Sequence, residues 1–260
     1  MIYICIPSYN EAPTVGLLLW KIRRIFTEFS REYHLLVVND GSTDATAELL
    51  EPYTKVLPLT VVNRKERQGY AATVEELLRL AVDRTDRPKR DCAILMPADF
   101  SHGAEFLPEL VRQIESGADL VVAESSLEGE PSRMVRLVRR MAPLLLRNAV
   151  RIPGVSDVVS GFAAFRLMTL RNAFRTYPGP LLTTEGWAAN AELYTRAALS
   201  ARRVETIEAV ERRDIRSRPS RLAPMATARE LWRAGPRLKA VTRAVNAAES
   251  RPGRQPTEMI

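Results

Sequence analysis

Cysteine is nearly absent: the 260 residues hold only Cys5 and Cys92, each inside an apolar run. That count excludes a disulfide-stapled scaffold, and thiols in such runs behave as small buried hydrophobes. No apolar stretch reaches the roughly 18 residues that a membrane-spanning helix needs. No basic, apolar and small-residue leader precedes the first strand-like run, so a cytoplasmic location is expected, with peripheral contact at the inner membrane surface as the widest membrane role. Internal repeats and linker-like segments are also missing. A chain of this length buries roughly three quarters of its unfolded surface and affords one substantial core. Acidic residues are scarce at one end: residues 212–254 hold twelve Lys and Arg against Asp214, Glu230 and Glu249. The net charge of +7 is therefore a property of the tail. Trp232 is the only aromatic residue there, and single-strand nucleic-acid binders interleave bases with several, so no nucleic-acid partner is expected.

What is present is a rhythm. Strand-like runs at 2–7, 35–39, 57–63, 92–97 and 119–123 alternate with helical patterns at 14–29, 44–51, 69–83 and 104–116. This is the signature of a mainly parallel α/β sheet flanked by helices, with a Rossmann-like first half over 1–125. In the first helix Leu17, Leu18, Ile22, Ile25 and Phe29 recur at helical spacing and are expected to face the core. Two strands stop abruptly in polar loops, Pro7-Ser8-Tyr9-Asn10-Glu11 and Asn39-Asp40-Gly41-Ser42-Thr43-Asp44, with Ser42 and Thr43 as candidate caps for the next helix. Open α/β sheets bind ligands at that carboxyl edge, which points to a nucleotide site.

The second half, 126–222, opens with an arginine-rich segment. Arg133 to Ile152 carries six arginines, no acid and a row of Val, Leu and Met, which predicts a basic amphipathic helix broken or bent at Pro143. It either covers the sheet or rests on an anionic surface. A further helix is expected at 187–200, a strand at 203–209, and a basic helical extension over 223–260.

In order and spacing, the segments IPSYNE, VVNDGSTD, PADFSH and DVVSGF resemble family 2 glycosyltransferases of the GT-A fold, most of all the dolichol-phosphate mannose synthases and other polyprenyl-phosphate glycosyltransferases. The likeness covers residues 1–222. It implies inverting transfer of a hexose from a nucleotide diphosphate sugar, GDP-mannose or a UDP-sugar, to a polyprenyl phosphate. By the same likeness Pro7, Tyr9, Glu11 and Asp40 hold the nucleoside, and Asp99, Asp157 and Glu192 stand at the catalytic positions, with Glu185 a weaker candidate. Mg²⁺ or Mn²⁺ on the diphosphate is implied, with Asp99 and Ser101 as its protein oxygens.

The sequence also departs from that family. Pro97 stands where the Asp-x-Asp metal motif has its first carboxylate; Glu124-Ser125-Ser126 and Ala163 stand where arginines are common. Replacement cations for the donor diphosphate and acceptor phosphate are sought in Arg140, Arg166, Arg213, Arg216 and Arg218, the last three near a Ser220-Arg221-Leu222 that resembles the family's Ser-Lys-Leu. His102 either orients its loop or ligates metal. Two alternatives stay open: transfer to a soluble hydroxyl acceptor in natural-product biosynthesis, and a catalytically silent relative that only binds nucleotide.

Overall fold

The computed structural model describes residues 1–128, 133–146, 149–150, 152–177, 179–212 and 223–249. Period-two alternation divides the first strand, β1 (Ile2–Ser8), between two cores: Ile2, Ile4 and Ile6 enter one, Tyr3 and Cys5 the other. On the first side β1 meets helices α1 (Val15–Glu28) and α2 (Thr46–Leu50), and on the second α3 (Tyr70–Arg84). The two flanking parallel strands are β2 (Tyr33–Asn39) and β4 (Cys92–Leu95), with β3 (Leu59–Asn63) outside β2.

Past β4 and α4 (Leu107–Glu115) come β5 (Leu120–Glu128), α5 (Arg133–Leu145), β6 (Ala163–Arg166), α6 (Leu167–Thr176), α7 (Gly186–Ala198), β7 (Val204–Arg212) and α8 (Pro224–Glu249). The sheet runs β3-β2-β1-β4-β6-β5-β7 and is parallel except for β6, which opposes both β4 and β5. Helices cover both faces, as the alternation predicts for an α/β fold. Both cysteines are buried and unbridged.

Several expectations shift. Strand β6 has no period-two signal, because Ala163 and Ala164 are small residues wedged at full burial between β4 and β5. Its antiparallel register sets Ala163 beside Leu95 and Arg166 beside Cys92, so Arg166 lies at the amino edge of the sheet, away from the polar loops. There it pairs with Asp119 at 2.8 Å and donates to the carbonyls of Lys89, Ile114 and Ala118. It is a structural brace and not a diphosphate ligand. Leu17 is 52% exposed; the buried stripe of α1 is Val15, Leu18, Leu19, Ile22 and Phe26. Helix α5 runs through Pro143 and ends two residues later. The first half of α8 is no appendage: Leu231, Ala234 and Leu238 are buried in the main core, against α5 and α7.

Arg166→Ala should lower the stability read from the urea midpoint by about 1.5–3 kcal/mol, the value of hydrogen bonds to a charged group. Nucleotide affinity of the folded fraction should stay unchanged, and an affinity loss would put Arg166 back in the site.

Candidate active site

The two polar loops are tied to each other. Asn10, held at φ 51°, accepts the Thr43 N–H at 2.7 Å, donates through Nδ2 to the Thr43 hydroxyl, and gives its own N–H to Ser42 Oγ at 2.8 Å. Ser42 and Thr43 are therefore spent on the first loop, and it is Asp44 that accepts the Thr46 N–H at the start of α2. The only other non-glycine residue in the left-handed region among the described residues is Phe100, at φ 64° in the loop after β4. Left-handed backbone at a non-glycine residue costs energy, and both instances fall at the carboxyl edge of the central strands.

Asp40 fixes a third loop. Its carboxylate accepts the Gln68 and Gly69 N–H groups and the Arg64 guanidinium, at 2.8, 2.9 and 2.8 Å. Burial alone would raise its pKa, but these donors outweigh burial and hold it below the ordinary carboxylate value. A carboxylate offers about four acceptor positions, so one is left over. Gly41 lets the loop come close: a Cβ there would lie 2.7 Å from Arg67 N. The loop thus anchored carries Arg67, whose guanidinium sits 4.3 Å above the Tyr9 ring.

Two cavities result. The smaller, about 190 Å³, is lined by Pro7, Tyr9, Glu11 and Asp40, the four residues assigned to the nucleoside, together with Ser8, Thr73 and Ala98. The larger, about 600 Å³, is walled by Ser101, His102, Arg139, Ser160, Glu185, Trp187, Asn190 and Glu211, and by Thr227 and Glu230 of α8. Arg67, Tyr70, Pro97 and Asp99 border both. Tyr70 is locked there by its hydroxyl, which donates to Asn190 Oδ1 at 2.8 Å.

Arg139 organises the larger cavity. It ion-pairs with both Asp157 and Glu211 in a nearly buried triad that joins α5, the 157–162 loop and β7. Burial would weaken its charge, but the two carboxylates more than compensate and raise its pKa. Arg140, the residue singled out from sequence, is exposed; one step along a helix turns the side chain by about 100°. The buried positions Val135, Val138 and Ala142 put Arg139 on the covered face, a signal already present in the spacing. Glu192 is also corrected: it is buried under the Thr183-Thr184 turn, accepting both N–H groups and both hydroxyls, and pairs with Arg196 at 2.6 Å. It shapes that turn and does not face the cavity. Glu185 does line it, while accepting the Ala71 N–H at 3.2 Å. Arg213, Arg216 and Arg218 lie outside the described residues.

The metal position fits poorly. Pro97 brings no donor, Asp99 Oδ1 accepts the Ser101 N–H at 3.1 Å, and the Ser101 hydroxyl is bonded to His102 Nδ1 at 3.1 Å. No group of three His, Cys, Asp or Glu side chains able to hold a metal occurs among the described residues. His102 is buried, which drives its pKa down and keeps the imidazole neutral; its backbone bridges to Glu211 and its ring packs on Phe162, so it ties the loop to β7. Arg67, Tyr70, Trp187 and Glu230 went unnoticed in sequence, since each is brought to the site by a contact distant along the chain.

Arg139→Ala should cost about 3–5 kcal/mol in urea unfolding, because two buried carboxylates lose their counter-charge. Arg140→Ala should stay within about 0.5 kcal/mol, as exposed substitutions do. Equal effects would contradict the helical register described.

Known proteins bear on the site as follows. The model for Glycosyl transferase family 2 matches residues 3–174. A dolichol-phosphate mannosyltransferase of Pyrococcus furiosus is 27% identical over 168 residues, covering 63% of this chain and 45% of its own length. An undecaprenyl-phosphate 4-deoxy-4-formamido-L-arabinose transferase of Pseudomonas fluorescens is 30% identical over 142 residues, 52% of this chain and 40% of the relative. The match thus spans less than half of each of these relatives. In fold, the chain resembles glucosyl-3-phosphoglycerate synthase of Mycobacterium tuberculosis, solved with Mn²⁺, UDP-glucose and phosphoglyceric acid, at TM-score 0.64 and 19% identity over 92% of this chain and 80% of that one. It also resembles Staphylococcus aureus TarS, residues 1–349 with UDP, at 0.60 and 17% over 95% and 70%. With these matches added to the strand order and the paired cavities at the carboxyl edge, the chain belongs to glycosyl transferase family 2 and has the GT-A fold.

Proposed function

We propose that the chain moves a hexose, with inversion, from a nucleotide diphosphate sugar, GDP-mannose or a UDP-sugar, to a polyprenyl phosphate. In this reading Pro7, Tyr9, Glu11 and the spare acceptor position of Asp40 hold the nucleoside in the smaller cavity. The sugar crosses the border at Asp99 into the larger one, where Asp157 acts through Arg139 as a positioning residue. An acceptor phosphate is already an anion and requires no strong base.

The observation that carries the acceptor is the double face of α5. One side buries Val135, Val138 and Ala142 and sends Arg139 into the cavity wall. The other leaves Met134, Leu137, Met141 and Leu144 exposed at 44%, 53%, 37% and 59%, in spacings of a single helical stripe, among the exposed Arg133, Arg136 and Arg140. An apolar stripe edged by arginine suits an anionic lipid surface, and the two relatives, a dolichol-phosphate mannosyltransferase and an undecaprenyl-phosphate transferase, are named for lipid phosphates. No helix among the described residues is long and apolar enough to cross a membrane.

A second reading, transfer to a soluble hydroxyl, draws on the acidity of the larger cavity, where Asp99, Glu185, Glu211 and Glu230 outnumber Arg67 and Arg139. A hydroxyl acceptor needs a carboxylate to take its proton, and Glu230 on α8 is the candidate.

Leu137→Glu combined with Leu144→Glu should reduce co-sedimentation with anionic vesicles, and transfer of labelled hexose to polyprenyl phosphate in those vesicles, by about tenfold or more, since each leucine loses about 1.5–3 kcal/mol of burial. Transfer to a small hydroxyl compound with none to polyprenyl phosphate would select the second reading.

A further inference from the structure

We propose that Arg67 does the work usually left to a carboxylate-bound metal, so that this chain binds its donor diphosphate and transfers the sugar without a divalent cation. This rests on the donor reading above. A nucleotide with its base in the smaller cavity and its sugar in the larger must run its diphosphate past the four residues that border both, Arg67, Tyr70, Pro97 and Asp99. Arg67 is the one cation among them. Asp99 is the one carboxylate, and where a second would help it hold a metal there is a proline ring. The Ser101 hydroxyl, the other candidate oxygen, is turned to His102.

Arg67 is an exposed residue carried on an anchored loop. Its backbone is clamped against Gly41, with Gln68 and Gly69 held by Asp40, and its guanidinium lies on the Tyr9 ring. Where the two cavities meet it shares the border with one carboxylate, Asp99. A guanidinium offers a planar fork of donors matched to phosphate oxygens. In transfer, the acceptor oxygen forms a bond to the sugar C1 as the bond from C1 to the diphosphate oxygen breaks. The electron pair leaves on that oxygen, and the Arg67 guanidinium stabilises the charge that builds there.

The test is a titration of GDP and of UDP into the full chain, in EDTA and in Mn²⁺, for the unaltered protein, Arg67→Ala, Arg67→Lys and Pro97→Asp, with thermal unfolding to show that each variant is folded. The expected result is affinity for one nucleotide that EDTA changes by less than about twofold and that Arg67→Ala weakens by about tenfold or more, with partial retention in Arg67→Lys. Pro97→Asp should gain an Mn²⁺-dependent tightening that the unaltered chain lacks. Loss of binding in EDTA, or wild-type affinity in Arg67→Ala, overturns the role of Arg67 and leaves the donor site standing. Failure of both nucleotides to bind in either buffer overturns the donor reading itself.

Discussion

The carboxylate of Asp40 is the constraint on which the site depends. It sits at the end of β2, gathers two N–H groups from the loop before α3, and pairs with Arg64, which is itself braced by Glu76 and Thr73. Through those bonds the amino end of α3 is fixed against the sheet edge, and with it Arg67 and Tyr70. Remove that clamp and the side of the border that carries Arg67 loses its anchor. The lowered pKa of this acid, held down by several donors against the effect of burial, is the electrostatic mark of the clamp.

A second organising interaction balances the first on the far side of the larger cavity. Arg139 holds Asp157 and Glu211 together, so α5, the loop after it and β7 share one buried charge network. The same helix shows an apolar stripe and three arginines outward. One element thereby joins the cavity wall to an exposed apolar stripe. The arrangement also makes the cavity wall sensitive to charge: a buried network of this kind is costly when one partner is lost and worth little beyond specificity when intact.

Much of this was legible in the chain. The alternation in β1 and β2, the polar residues that stop them, and the switch to helical spacing place two polar loops at one sheet edge; the family resemblance picks out Pro7, Tyr9, Glu11 and Asp40 within them, and all four line one cavity. What escaped has physical causes. Strand β6 is made of two alanines, a phenylalanine and an arginine, so it carries neither β-branched residues nor an alternating pattern; without it, the position of Arg166 could not be read. Glu192 matched a motif, yet its oxygens are consumed by a turn nine residues upstream. Arg67 lies in a run of charged residues that reads as a solvated loop, and only its approach to Tyr9, far away in sequence, gives it meaning.

The central claim is that a nucleotide sugar lies across the seam between the two cavities. Its most direct test is a crystal structure of the chain soaked with GDP or UDP and with the matching sugar conjugate. The account predicts the nucleoside against Tyr9, Glu11 and Asp40, the diphosphate between Arg67 and Asp99, and the sugar in the cavity of about 600 Å³. A nucleotide seated elsewhere, for instance in the groove of about 510 Å³ between α3 and the Pro180–Glu185 segment, would contradict it.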